Sequence, residues 1–117
     1  MSKRKTSTIS IKQMLEEIKT RLVSTFDPKK IILFGSYAWG DPREASDLDL
    51  YIIMKSADPP HRRTVKVVDI LWDLLEEQDM DILVVTPEEL ETQLHKGDPF
   101  VKEIIERGEI LYERDNE

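Results

Sequence analysis

A chain of 117 residues with 39% apolar side chains, 17 Lys plus Arg against 24 Asp plus Glu and no cysteine suits one compact domain over residues 1–117 and excludes a multidomain enzyme. Without cysteine there is no disulfide scaffold, thiol nucleophile or Cys-ligated metal centre, and with His61 and His95 far apart any metal must be held by oxygen. A formal charge of −7 argues against direct nucleic-acid binding, which needs a basic surface, and no apolar run approaches the ~20 residues that cross a bilayer.

Residues 1–8 are basic and polar, a flexible tail with no apolar signal segment behind it, so the expected setting is the cytoplasm. Ser10 followed by Gln13, with Ile9 and Met14 as a hydrophobic staple, marks a helix start. Ile11, Met14, Leu15, Ile18 and Leu22 then recur at helical spacing to about Thr25, and Asp27-Pro28 breaks the helix. Ile31 to Phe34 is a short apolar run bounded by Pro28 and Gly35, a buried strand, and Gly35 to Ala45 is a loop containing one helical turn. Leu48 to Met54 reads as a second strand. After Asp58-Pro59-Pro60 comes a long helical stretch carrying Val65, Val68, Leu71, Trp72 and Leu75.

Asp81 to Val85 is the third strand. Thr86-Pro87-Glu88-Glu89 supplies an N-cap, a proline at the first helical position and a capping-box Glu, opening a helix that Gly97 ends. Asp98-Pro99 opens another, with Phe100, Ile104 and Ile105, before Gly108 and an apolar fragment, Ile110 to Tyr112, that forms an edge strand; residues 113–117 are a flexible end. The order of elements predicts an α/β (α+β) domain, a small mixed sheet with helices mainly on one face, leaving the other face or the strand ends for a site.

Gly35-Ser36-Tyr37-Ala38-Trp39-Gly40 lies between a strand and a helical turn, where backbone N–H groups can bind an anion and a missing Cβ lets phosphate approach; a tight turn that only relieves backbone strain is the alternative. Asp47 and Asp49 stand at i and i+2 of a strand, on one sheet face and about 6.6 Å apart. Two carboxylates so placed repel each other unless a cation neutralises them, and oxygen ligands suit Mg²⁺; alternatively Asp47 closes a turn and Asp49 is a solvated strand residue. Asp81 opens the third strand in the same manner, as a ligand or as an ordinary polar strand entrance. Together these acids and the Gly-Ser turn could gather two metal ions and a triphosphate for in-line transfer. Arg43, Lys55, Arg62, Arg63 and Lys66 are either phosphate contacts or solvated surface; Tyr37, Trp39 and Tyr51 read as packing residues, with stacking on a base as the alternative.

Gly35-Ser36, Gly40, Ser46-Asp47-Leu48-Asp49-Leu50 and a later strand-borne Asp81 resemble the signature of the polymerase-β-like nucleotidyltransferase superfamily. The brevity of the chain makes it similar to the minimal nucleotidyltransferase (MNT) proteins, over about Ile31 to Tyr112. The resemblance implies the polymerase-β-like fold, Gly35, Ser36 and Ser46 on the nucleotide, and Asp47, Asp49 and Asp81 as catalytic ligands of two divalent ions, Mg²⁺ or Mn²⁺. It implies transfer of a nucleoside monophosphate, AMP from ATP, to a hydroxyl, with Asp81 helping to deprotonate the acceptor.

MNT relatives are commonly paired with an all-helical HEPN-domain toxin, so the resemblance also implies an antitoxin that nucleotidylates such a partner. The alternative is a non-catalytic antitoxin acting by occlusion, although three clustered acids without a metal would cost stability. Small-molecule nucleotidylation needs a second acceptor-binding domain or a dimer, and the apolar helix faces leave homo- or hetero-oligomers open.

Overall fold

The computed structural model describes residues 10–40 and 47–115. Ser46, Arg43 and the staple residue Ile9 lie outside that set. Among the described residues, five helices and four strands follow in the order α1 (Ile11–Phe26), β1 (Lys30–Phe34), β2 (Leu48–Ile53), α2 (Pro60–Ile70), α3 (Trp72–Leu75), β3 (Met80–Val85), α4 (Pro87–His95), α5 (Pro99–Arg107) and β4 (Glu109–Glu113). No helix among the described residues is long and apolar enough to cross a membrane.

The local signals act as expected. Ser10 and Gln13 close a reciprocal capping box at α1, and Thr86 and Glu89 another at α4. Asp27 ends α1 in the left-handed region, at φ 49°. The Asp98 carboxylate accepts from Phe100 N and Val101 N to start α5.

The sheet is mixed, in the order β3-β2-β1-β4. β1 runs antiparallel to both β2 and β4, and β2 runs parallel to β3, the pairing that needs the intervening α2–α3 crossover. The C-terminus of β1 and the N-termini of β2, β3 and β4 therefore share one end of the sheet.

Alternation along the strands divides the core in two. Ile31, Leu33, Leu48, Leu50, Ile52 and Val84 face Met14, Ile18 and Leu22 of α1, Val67 of α2 and Leu71 and Leu74 around α3. Ile32, Phe34, Tyr51 and Ile53 face the other way, against Ile104 of α5 and Leu90 of α4. The mixed α/β sheet is as predicted, while the second face is partly covered by two short helices.

Three expectations change. The long helix breaks at Leu71, and its buried positions are Arg63, Val67, Leu71 and Leu74, while Val65 and Trp72 are more than 60% exposed. Two overlapping stripes fit the same helical period, and packing on β3 selects the one that includes a buried arginine. In α5 it is Val101 and Ile104 that are buried, with Phe100 half exposed. The chain also stays tied beyond Tyr112: Glu113 pairs with Lys30 in the sheet, and Arg114 donates to the Asp27 carboxylate and, through its backbone N–H, to Lys29 O.

Candidate active site

The topology gathers most of the singled-out residues at one end of the sheet. Asp49 lies directly opposite Asp81 in the parallel β2–β3 register, so their Cα atoms are about 4.8 Å apart. Both side chains point to the second face, on the same alternation as Phe34, Tyr51 and Leu83. On its other side Asp49 pairs with Phe34, the residue before Gly35. Asp47 sits one residue before β2, exposed, and its backbone adjoins residues outside the described set.

Gly35 has φ 78°, and a Cβ built there would run into the Asp49 carboxylate. Backbone conformation and close approach thus both require glycine at this position. Behind it the chain makes one helical turn, with Gly35 O accepting from Ala38 N and Trp39 N at 3.0 Å each. Ser36 is half-buried in that turn.

Electrostatics ties the acids together. Partial burial raises the Asp49 carboxyl above its ordinary value, and the negative charges of Asp81 and then Asp47 raise it further. Such mutual repulsion is what a bound cation would relieve. Among the described residues no three acidic or histidine side chains form a ready-made metal cluster. The set is a facing pair plus a third charge at its mouth, and its all-oxygen chemistry suits a hard divalent ion that keeps positions open for substrate phosphates.

The other candidates lie elsewhere. Lys55 follows the far end of β2, and α2 begins near the far end of β3, so Arg62, Arg63 and Lys66 are remote from Asp49 and Asp81. Lys66 pairs with Asp58 at 2.6 Å. Arg63 is neither surface nor phosphate contact. Only 3% exposed, it donates to Val84 O, to Asp58 O and, with both terminal nitrogens, to Glu89. It spans the free edge of β3, binding α2 on one face to α4 on the other. His61 is an exposed residue at the start of α2, and His95 ends α4.

Of the aromatics, Tyr37 packs with the first-face core and Trp39 with the second. Tyr51 is buried beneath α4 and α5, with its hydroxyl 3.5 Å from Gln93 Oε1. Burial, then the Asp98 and Glu89 charges, push its phenol up to about 12.

Sequence reasoning missed the wall that α5 builds beside this end of the sheet. Phe100 meets Phe34 edge to face at 5.8 Å, and one helical stripe further on the Arg107 guanidinium lies 4.5 Å from the centre of the Trp39 ring. Only the spacing of Phe100, Glu103 and Arg107 hinted at a common side of the helix.

A candidate protein adenylyltransferase of Methanocaldococcus jannaschii, MJ1305, is 31% identical over 91% of this chain and 74% of its own length. A second from the same organism, MJ0604, is 34% identical over 88% of this chain and 95% of its own. Among solved structures, an MntA–HpeT toxin–antitoxin mutant superposes with TM-score 0.55 at 17% identity, covering 86% of this chain and 74% of that one. A toxin–antitoxin crystallised with AMP-PNP gives 0.53 at 21% identity, with the same coverage. Arabidopsis thaliana BolA1 gives 0.53 at 18% over 65% of this chain and 94% of its own, a likeness of fold alone. The Polbeta family, described as polymerase beta, nucleotidyltransferase, matches residues 16–117, and with its Gly-Ser turn facing strand-borne aspartates the chain belongs to that nucleotidyltransferase family.

Proposed function

We propose that the protein is a metal-dependent nucleotidyltransferase that moves AMP from ATP to a hydroxyl on a partner protein, a HEPN-type toxin, and so acts as its antitoxin. The observation that carries this reading is the Asp49–Asp81 pair facing each other at the sheet end where Gly35 admits the Asp49 carboxylate. The M. jannaschii relatives support the protein acceptor, and the toxin–antitoxin neighbours, one with AMP-PNP, support the partner and the nucleotide.

In this reading Gly35, Ser36 and Ser46 bind the nucleotide phosphates, and Asp47, Asp49 and Asp81 hold divalent cations, Mg²⁺ or Mn²⁺. When bound, such ions lower the pKa of the acceptor hydroxyl and neutralise the departing pyrophosphate. The acceptor oxygen forms a bond to the α-phosphorus as the bond from that phosphorus to the bridging oxygen breaks, and pyrophosphate leaves with the electron pair. Asp81, at the free edge of the sheet, takes the hydroxyl proton. Gly35, having no Cβ, lets the Asp49 carboxylate sit against the phosphate-binding turn.

The test is transfer of label from α-labelled ATP with Mg²⁺ to protein in a lysate of the source cells, with the Asp47→Asn/Asp49→Asn double variant as control. A labelled band lost with the variant supports the proposal, and mass spectrometry of the band identifies the acceptor residue. Tight binding of a partner with no variant-sensitive label would replace it with inhibition by occlusion.

A further inference from the structure

A triphosphate brought to Asp47, Asp49 and Asp81 needs positive charge besides any metal, and the turn from Gly35 to Gly40 carries no basic side chain. Arg107 ends α5 at the same end of the sheet. Its position is set by the next residue: a Cβ on Gly108 would collide with Ile32 Cγ2 and Ile104 O, so α5 presses its last turn onto β1. β4 then pairs Glu109 with Leu33, two residues before Gly35. The guanidinium therefore stands beside the turn that follows β1, on the same face as Asp49.

The stacking partner fixes it there. Trp39 packs into the second-face core, its backbone N–H is held by Gly35 O at 3.0 Å, and the guanidinium lies over its ring at 4.5 Å. A guanidinium held over an indole face keeps N–H groups at its rim, which can take an anion at two points. One of them now donates to Glu103 at 3.0 Å, but both side chains of this pair are more than 40% exposed. An exposed i,i+4 pair of this kind is weak and yields readily to a more highly charged partner.

We propose that Arg107, held on Trp39, binds the β- and γ-phosphates of the nucleotide and takes up charge on the leaving pyrophosphate. The assignment to that end of the triphosphate follows from strand order. Asp81 is on edge strand β3, where the acceptor approaches, whereas Arg107 stands on the β1 side, across Asp49 from it. This contact rests on the nucleotidyl-transfer reading above and adds to it the group that holds the leaving phosphates.

The experiment compares the full-length protein with Arg107→Gln and Arg107→Lys, measuring the affinity for ATP and for AMP with Mg²⁺, and the rate of label transfer from α-labelled ATP. Arg107→Gln should weaken ATP binding by roughly tenfold or more, leave AMP binding within about twofold, and slow transfer, with Arg107→Lys recovering part of the loss. A Trp39→Leu variant, which removes the stacking platform and keeps the arginine, should show a smaller loss of the same ATP-over-AMP preference. ATP affinity and transfer rate unchanged in Arg107→Gln would overturn the contact and leave nucleotidyl transfer standing, as would equal weakening for ATP and AMP. No nucleoside triphosphate binding by the unaltered protein would overturn both.

Discussion

Replacing Asp49 with Asn should stabilise the metal-free protein while removing its activity. Asp49 faces Asp81 across adjacent strands with Asp47 close by, and partial burial adds to the repulsion. Like charges on neighbouring strands cost up to about 1 kcal/mol per pair, and for a chain of this size about 1 kcal/mol corresponds to roughly 4 °C in Tm. The neutral amide keeps the shape and removes that repulsion.

The sign with pH follows from the raised carboxyl. Folded Asp49 holds its proton more firmly than the unfolded chain, whose value is the ordinary 3.8. Its cost is absent below 3.8, grows as pH rises to the raised folded value, and is complete above it. Thermal unfolding in EDTA and low salt should show Asp49→Asn melting about 4 °C above the unaltered protein near neutral pH, with the gap closing as the pH falls below the Asp49 window. Mg²⁺ should raise the Tm of the unaltered protein and leave the variant unmoved. A variant that melts lower than the unaltered protein in EDTA would refute the reasoning, because it would mean that the Asp49 carboxylate is held by favourable contacts instead of strained by its neighbours.

Other consequences extend across the fold. Arg63→Met removes donors from Val84 O and Asp58 O and frees Glu89, and should cost about 3 kcal/mol, a fall of roughly 2 M in the urea midpoint; a loss under about 1 kcal/mol would show that the strap over β3 does little. Gly35→Ala forces a side chain into the left-handed region and against the Asp49 carboxylate, so it should cost about 1–3 kcal/mol and abolish label transfer; retention of transfer would contradict the close approach. Absorbance titration should reveal a phenol ionising near pH 12 that Tyr51→Phe eliminates, and persistence of that phase in the variant would place it on another tyrosine.

The parts of this structure legible in the sequence are those that depend on near neighbours. The capping residues Ser10, Gln13, Thr86, Glu89 and Asp98 act within three residues of themselves, and the apolar runs that form β1, β2 and β3 are short and bounded by turn residues. The Gly-Ser turn and Asp47-Leu48-Asp49 are likewise a local pattern. What puts Asp81 opposite Asp49 is a parallel register closed across the α2–α3 crossover, which no spacing along the chain encodes.

Helical periodicity told which residues could share a stripe but not which stripe or which sheet face. It therefore favoured Val65 and Trp72 where Val67 and Leu74 are buried, and left α5 unassigned to the second face. Arg63 was illegible for a different reason: arginine is rarely buried, and its partners Val84, Asp58 and Glu89 come from three separate segments. Arg107 acquires its position only through Gly108 packing on Ile32, a contact between residues distant in sequence.

The reaction class itself is tested most directly by which phosphorus of ATP is kept. With Mg²⁺ and the partner protein, α-labelled ATP should leave its label on the acceptor and γ-labelled ATP should not, and Asp49→Asn should abolish the transfer. Retention of the γ-label instead would make the protein a phosphoryl transferase and contradict the account, and α-label transfer undiminished in Asp49→Asn would remove Asp49 from the chemistry.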